Sequence, residues 1–192
     1  MMHSLNRRYT RLLIRALLVF GQKAQALERV ESLLQEAEGD LYALATKAHV
    51  LAELGDKPGA LKVLQRVVEV APEQAAGWFN LGYLSEELDL LDRAEAAFRR
   101  ATELEPKMDR AWYGLGLCLI RQHRFDEAVP ALRKNTELQP MSPYGWYQLA
   151  RVHVDRQEPE EAVKIIHHLR KFEPKVAAQL VRETGLGQPV QI

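Results

Sequence analysis

Apolar residues along this chain recur at intervals of three and four, break off at a proline, and start again. In the block from Ala75 to Met108, Trp78, Leu81, Gly82 and Leu84 share one face of a predicted helix, and Phe98, Ala101 and Leu104 share one face of a second. The block returns downstream without change of length. Trp78, Trp112 and Trp146 stand 34 residues apart (112 − 78 and 146 − 112), and Pro72, Pro106, Pro140 and Pro174 keep the same step. Ala60, Ala94, Ala128 and Ala162 fall in this register, as do Leu81-Gly82 and Leu115-Gly116, with Leu149-Ala150 as a relaxed copy. Each block therefore predicts two helices and a turn.

The residue types at the fixed positions have physical reasons. Gly82 has no side chain, and Ala94 answers it from the second helix, so small is expected to oppose small where the two helices cross. Pro106 closes the second helix, because it lacks an amide hydrogen and disfavours helical geometry in the residue before it. One hairpin cannot bury both its faces, so each block must lean on the next.

A period of this length, with Trp, Leu-Gly, Ala and Pro at set offsets, resembles the tetratricopeptide repeat (TPR). The resemblance implies an all-α fold, a right-handed α-solenoid of about five helical hairpins with a C-terminal capping helix. The units expected are 7–40, 41–74, 75–108, 109–142 and 143–176, with the cap over 175–185, all in a single array between flexible tails at 1–6 and 186–192. The first unit is degenerate: Leu13, Ile14, Leu17 and Leu18 lead to Gly21, Ala26 is in phase with Ala60, and Glu38 stands where the closing proline should be. Gly55 marks the turn of the second unit. Pro58 and Pro159 suit the first turns of their helices, Pro130 is expected to distort its helix only mildly, and Ser142 is the expected N-cap ahead of Pro143. Val176, Ala177, Leu180 and Val181 give the last helix one apolar side, with Gly185 as its C-cap.

Composition narrows the functional classes. Of 192 residues, 47% are apolar and 27% charged, and 26 basic residues balance 26 acidic ones, so no overall field draws the chain to nucleic acid or an anionic membrane. No apolar run approaches the ~20 residues of a membrane span. Arg7-Arg8, the apolar run behind them and Ala24-Gln25-Ala26 imitate an export signal, but Arg15 interrupts the run and Ala26 belongs to the repeat, so a cytoplasmic protein is the reading adopted. Cys118 is the only cysteine, which rules out an internal disulfide, and it reads as a small buried hydrophobe. Gly114-Leu115-Gly116 lacks the third glycine of a dinucleotide loop and falls mid-helix, where packing explains it. His167 and His168 are adjacent and diverge on a helix, and His49 and Glu53, four apart, read as a surface pair. No catalytic residue, metal site or cofactor is expected.

The resemblance further implies that the first helices line a concave groove that holds another polypeptide. Carried onto this sequence, the groove positions are Arg8, Arg11, Arg15, His49, Phe79, Asn80, Tyr83, Arg110, Tyr113, Tyr147 and Arg151. Phe79, Tyr113 and Tyr147 repeat every 34 residues as an aromatic ladder. Arg8, Arg11 and Arg15, spaced by three and four, form a basic stripe suited to an acidic partner segment. The family members that clamp a chaperone's terminal carboxylate require Lys, Asn and Arg at places held here by Ala45, His49, Asn80, Arg110 and Gly114, so that ligand is not expected. The function implied is a non-catalytic adaptor, scaffold or assembly chaperone. A helical-repeat nucleic-acid binder, or an accessory subunit of an enzyme complex, stands as the alternative.

Overall fold

The computed structural model describes residues 2–187, with side chains from residue 7 onward. Among them are eleven helices and no strand: α1 (Met2–Val19), α2 (Lys23–Glu36), α3 (Leu41–Glu53), α4 (Lys57–Val70), α5 (Ala75–Glu87), α6 (Leu91–Leu104), α7 (Asp109–Arg121), α8 (Phe125–Leu138), α9 (Pro143–Asp155), α10 (Pro159–Arg170) and α11 (Pro174–Thr184). The all-α repeat architecture expected from the periodicity is the one observed. Helix α1 begins at Met2 and takes in residues expected to lie in a loose tail, while residues 188–192 of the other expected tail lie outside the described residues.

The described residues fall into two compact units that divide between Leu88 and Asp89. The boundary falls at the turn inside block 75–108. In a repeat chain each element meets only its near neighbours, so each half supplies its own core.

In the first unit, α1 packs on α2, α2 on α3, α3 on α4 and α4 on α5. Ile14, Ala26, Val30, Leu33 and Ala43 form a core cluster there, with Leu17, Leu18, Leu34 and Tyr42 packed against it. In the second unit the sequence of contacts runs from α6 to α11, and α11 also touches α9. Leu119, Leu132, Ile166, Leu169 and Leu180 are fully buried there, as is Cys118. All five in-register alanines, Ala26, Ala60, Ala94, Ala128 and Ala162, have no exposed surface. A larger side chain at any of them would push the helices of its hairpin apart.

Local signals act largely as expected. Pro58, Pro143 and Pro159 each open a helix, α8 runs through Pro130, and Gly185 caps α11 in the left-handed region at φ 72°. Ser142 occupies the N-cap of α9 without a capping bond from its side chain. Asp40 and Asp56 supply side-chain caps instead, accepting from the Ala43 and Gly59 amides. The turns inside the five hairpins share one backbone state: Gly21, Gly55, Asp89, His123 and Gln157 all have positive φ and stand 34 residues apart.

In block 109–142 the small residue of the Leu-Gly pair faces a neighbour other than the expected alanine. A Cβ built on Gly116 would lie 2.7 Å from Leu132 Cδ2 and 2.8 Å from its Cγ. Gly114 likewise leaves room for the Phe98 ring, 2.6 Å from such a Cβ. Both glycines are therefore packing residues of α7. Gly116→Ala would gain about 1 kcal/mol of helix propensity. Leu132 is fully buried and cannot swing aside, so the overpacking cost of about 1–3 kcal/mol wins. We expect a net loss of about 1–2 kcal/mol in chemical denaturation, and a variant as stable as the parent would show that Leu132 can repack.

Candidate functional site

The predicted groove residues sit on the first helices of their hairpins: α1, α3 and α5 in the first unit, and α7 and α9 in the second. In the first unit the basic stripe is not intact. Arg8 and Arg15 are exposed, but Arg11 is half-buried and its Nη2 donates to Asp40 Oδ2 at 2.7 Å. Arg11 also lies over the Tyr42 ring, 5.1 Å from its centroid, and the Tyr42 hydroxyl donates to the Arg11 carbonyl. Burial acts to raise the Asp40 pKa, but the bonds from Arg11 and the Ala43 amide outweigh it and hold the carboxyl below its ordinary range. The reading of Arg11 as one of three groove cations is corrected accordingly. It is an internal tie between α1 and the start of α3.

Farther along this unit, His49 meets Glu53 at 3.7 Å, both largely exposed, as the four-residue spacing predicts. Phe79 and Tyr83 stack on α5 with centroids 6.5 Å apart, and the Tyr83 hydroxyl donates to Glu87. The negative charge of Glu87 pushes the Tyr83 pKa up. Asn80 is exposed beside them. Phe79 and Tyr83 form the aromatic feature of this unit.

In the second unit the first helices surround a hollow of about 460 Å³, lined by Tyr113 of α7, Pro143, Tyr144, Tyr147 and Gln148 of α9, and Glu173, Val176 and Gln179 around α11. Tyr144 is two-thirds exposed at its rim. Arg110 is exposed on the first turn of α7, and Arg151 on the last turns of α9. Arg151 is not an open cation: its Nη1 donates to Glu183 Oε2 at 3.3 Å and to the Tyr147 hydroxyl. Tyr147 itself donates to Glu183 at 2.7 Å, and Gln179 donates to the other carboxylate oxygen at 2.8 Å. These donors, Gln179 and Tyr147 first, hold Glu183 ionised below its usual range. The wall of the hollow thus carries tyrosyl and amide groups together with the Glu173 carboxylate, and Arg151 and Glu183 pair with each other beside it.

Glu173, Val176, Gln179 and Glu183 were not among the predicted positions. The strict 34-residue step places Glu183 where Leu149 is buried. Helix α11 starts at Pro174 itself, whereas α9 starts three residues after Pro140, so the register slips and Glu183 comes to the surface beside α9. The advanced helix start is the signal that could have revealed it.

A second recurrent bond accounts for the spaced tryptophans. Trp78, Trp112 and Trp146 each donate the indole N–H to the carbonyl of Pro72, Pro106 and Pro140, six residues earlier, at 2.8–2.9 Å. Each first helix is thereby pinned to the turn that precedes it. The model of the family described as "Tetratricopeptide repeat" matches residues 45–107, 87–134 and 119–166, well over half of the sequence. The chain belongs to the tetratricopeptide repeat family. Solved structures with this TPR fold include "Crystal structure of MamA protein", at 20% identity and a TM-score of 0.81 over 89% of this chain and 93% of that one. A MamA fragment from Desulfovibrio magneticus RS-1 matches at 20% identity and a TM-score of 0.76, over 92% and 95%. YrrB, titled "a TPR protein with an unusual peptide-binding site", matches at 18% identity and 0.78, over 88% of each chain. A search of the curated proteins finds no match. At these identities the solved structures establish the fold. Among the described residues no helix is long and apolar enough to cross a membrane.

Proposed function

We propose that the chain is a non-catalytic TPR adaptor that receives a peptide segment of another polypeptide in the hollow between α7, α9 and α11. The observation that carries this reading is the lining itself, in which Tyr113, Tyr144 and Tyr147 converge with Gln148 and Gln179 on one concavity. Tyrosines supply a large rigid contact area with little entropy to lose, and side-chain amides can pair with the N–H and C=O groups of an extended peptide. That YrrB is titled for a peptide-binding site adds support by family relation. Because Glu183 already neutralises Arg151, this hollow suits a neutral or aromatic segment better than the acidic one suggested by the arginine count. Scaffold and assembly-chaperone roles share this binding step.

The test is affinity capture from the native source with the parent chain and with Tyr113→Ala and Tyr147→Ala, quantified by mass spectrometry. Each truncation removes a half-buried ring, so the melting temperature should fall by a few degrees while the helical content at the capture temperature is retained. Partner recovery is expected to fall about tenfold, the effect of losing one interface anchor. Identical recovery from all three chains would remove the hollow as the binding site.

A further inference from the structure

We propose that the outer face of α1 and α2, in the first unit, is a docking ledge for an amphipathic helix of a partner protein that carries acidic residues beside its apolar stripe. Tyr9, Leu12, Ala16 and Val19 follow one another at steps of three, four and three on α1, and all are exposed: Tyr9 by 67%, Leu12 by 63% and Val19 by 82%. Phe20 adds another 78% exposed ring at the end of the helix. A stripe with this spacing on a helix already packed on its opposite side, through Ile14, Leu17 and Leu18, is the pattern by which helices recognise helices. Beside the stripe α1 and α2 leave a hollow of about 400 Å³, lined by Tyr9, Leu13 and Leu33 with Arg29, Ser32 and Glu36 at its edge, into which side chains of a third helix can insert.

The charges around the stripe select the occupant. Arg8 and Arg15 are exposed along one side, Arg15 with its Cζ 5.9 Å from the centroid of the Tyr42 ring. Arg29 stands on the other side, and Glu36 is engaged by Arg7. Helix α1 contains no Asp or Glu anywhere, so a second copy laid against it would set arginine against arginine. A flat anionic bilayer would satisfy Arg8 and Arg15 but would leave the hollow unfilled and bring lipid phosphates against Glu36. A helix with Asp or Glu flanking its apolar positions meets the arginines and fills the hollow together. On α11 of the second unit the exposed Lys175 and Arg182 are charged where α1 presents leucine and valine, so that helix offers no comparable ledge.

The probes are two synthetic peptides of about 20 residues, long enough to form a helix, with leucines at the same three-and-four spacing and either glutamate or lysine beside them. Titrated by fluorescence anisotropy against the full chain, the glutamate peptide is expected to bind at least about tenfold more tightly than the lysine peptide. Leu12→Glu should weaken it at least about tenfold, and far-UV circular dichroism should confirm that this exposed substitution leaves the helices intact. The double change Arg8→Glu and Arg15→Glu should reverse the preference between the peptides. Failure of the glutamate peptide to bind at about 100 µM, or equal binding of both peptides, overturns the proposal. So does sedimentation of the chain as a dimer that Leu12→Glu dissociates, or Leu12-dependent co-sedimentation with phosphatidylserine vesicles. Tyr147→Ala, in the other unit, should leave this binding unchanged, which separates it from the hollow of the second unit.

Discussion

Replacing Trp112 by alanine is expected to destabilise the second unit by about 3 kcal/mol, at the low end for loss of a large aromatic because the ring is only half-buried. Two effects combine. The indole covers apolar surface at the start of α7, and its N–H closes the turn after α6 through the Pro106 carbonyl at 2.9 Å. Trp112→Phe keeps most of the ring and removes the donor, so it should cost about 1 kcal/mol, a typical net value for one hydrogen bond whose acceptor can turn to water. At about 2–4 °C per kcal/mol for a chain of this size, the alanine variant should melt roughly 6–12 °C lower. Urea titration followed by circular dichroism distinguishes the cases. Equal midpoints for the parent and Trp112→Ala would mean that the recurrent Trp–Pro tie contributes nothing to stability.

That tie shows what the periodicity could and could not disclose. The 34-residue step in Trp and Pro was plain in the sequence, and so was the packing role of the alanines, because a position that tolerates only a small side chain repeats as a small side chain. Bonds between repeated positions leave no such trace. The hairpin turns make the same point. Gly21 and Gly55 announce a left-handed residue, since glycine reaches positive φ without steric penalty. Asp89 and His123, of types enriched at positive φ, signal it weakly and Gln157 not at all, so it is chiefly their register that reveals them.

The site was legible to the same degree. Tyr113 and Tyr147 line the hollow of the second unit, on first-helix positions that the repeat frame sets. Phe79 and Tyr83 stack with each other on α5, in the first unit. The charged positions were less legible, because a side chain's partner depends on residues about one repeat away in sequence. Arg151 pairs with Glu183, 32 residues on, and Arg11 with Asp40, 29 residues on. A count of arginines on one face suggests a basic groove. Carboxylates farther along the chain pair with Arg11 and Arg151, while Arg8, Arg15 and Arg110 remain exposed.

Asp40→Ala is expected to destabilise the first unit by about 2–3 kcal/mol, because one side chain serves two helices. Asp40 Oδ1 accepts from the Ala43 amide at 3.0 Å and caps α3, a contribution of about 1 kcal/mol. Its Oδ2 accepts the charge-assisted bond from Arg11, a class of bond that contributes about 1.5–3 kcal/mol. The carboxylate is almost fully covered, 5% exposed, so water cannot replace it, whereas the Arg11 side chain is 42% exposed and recovers part of its solvation, which places the sum below the arithmetic maximum. Asp40→Asn keeps a capping oxygen and loses the charge, and should fall between the parent and the alanine variant. The pH dependence has a definite sign. The folded-state pKa of Asp40 lies below the ordinary 3.8, so folding binds fewer protons than the unfolded chain and the stabilisation is complete above that value. It is lost as the pH falls below 3.8 through the lowered folded-state pKa. Urea midpoints measured at neutral pH and in this acid window should therefore converge for the parent and Asp40→Ala as the pH falls, and a gap that stays constant would mean that the Asp40 charge does not hold α1 to α3.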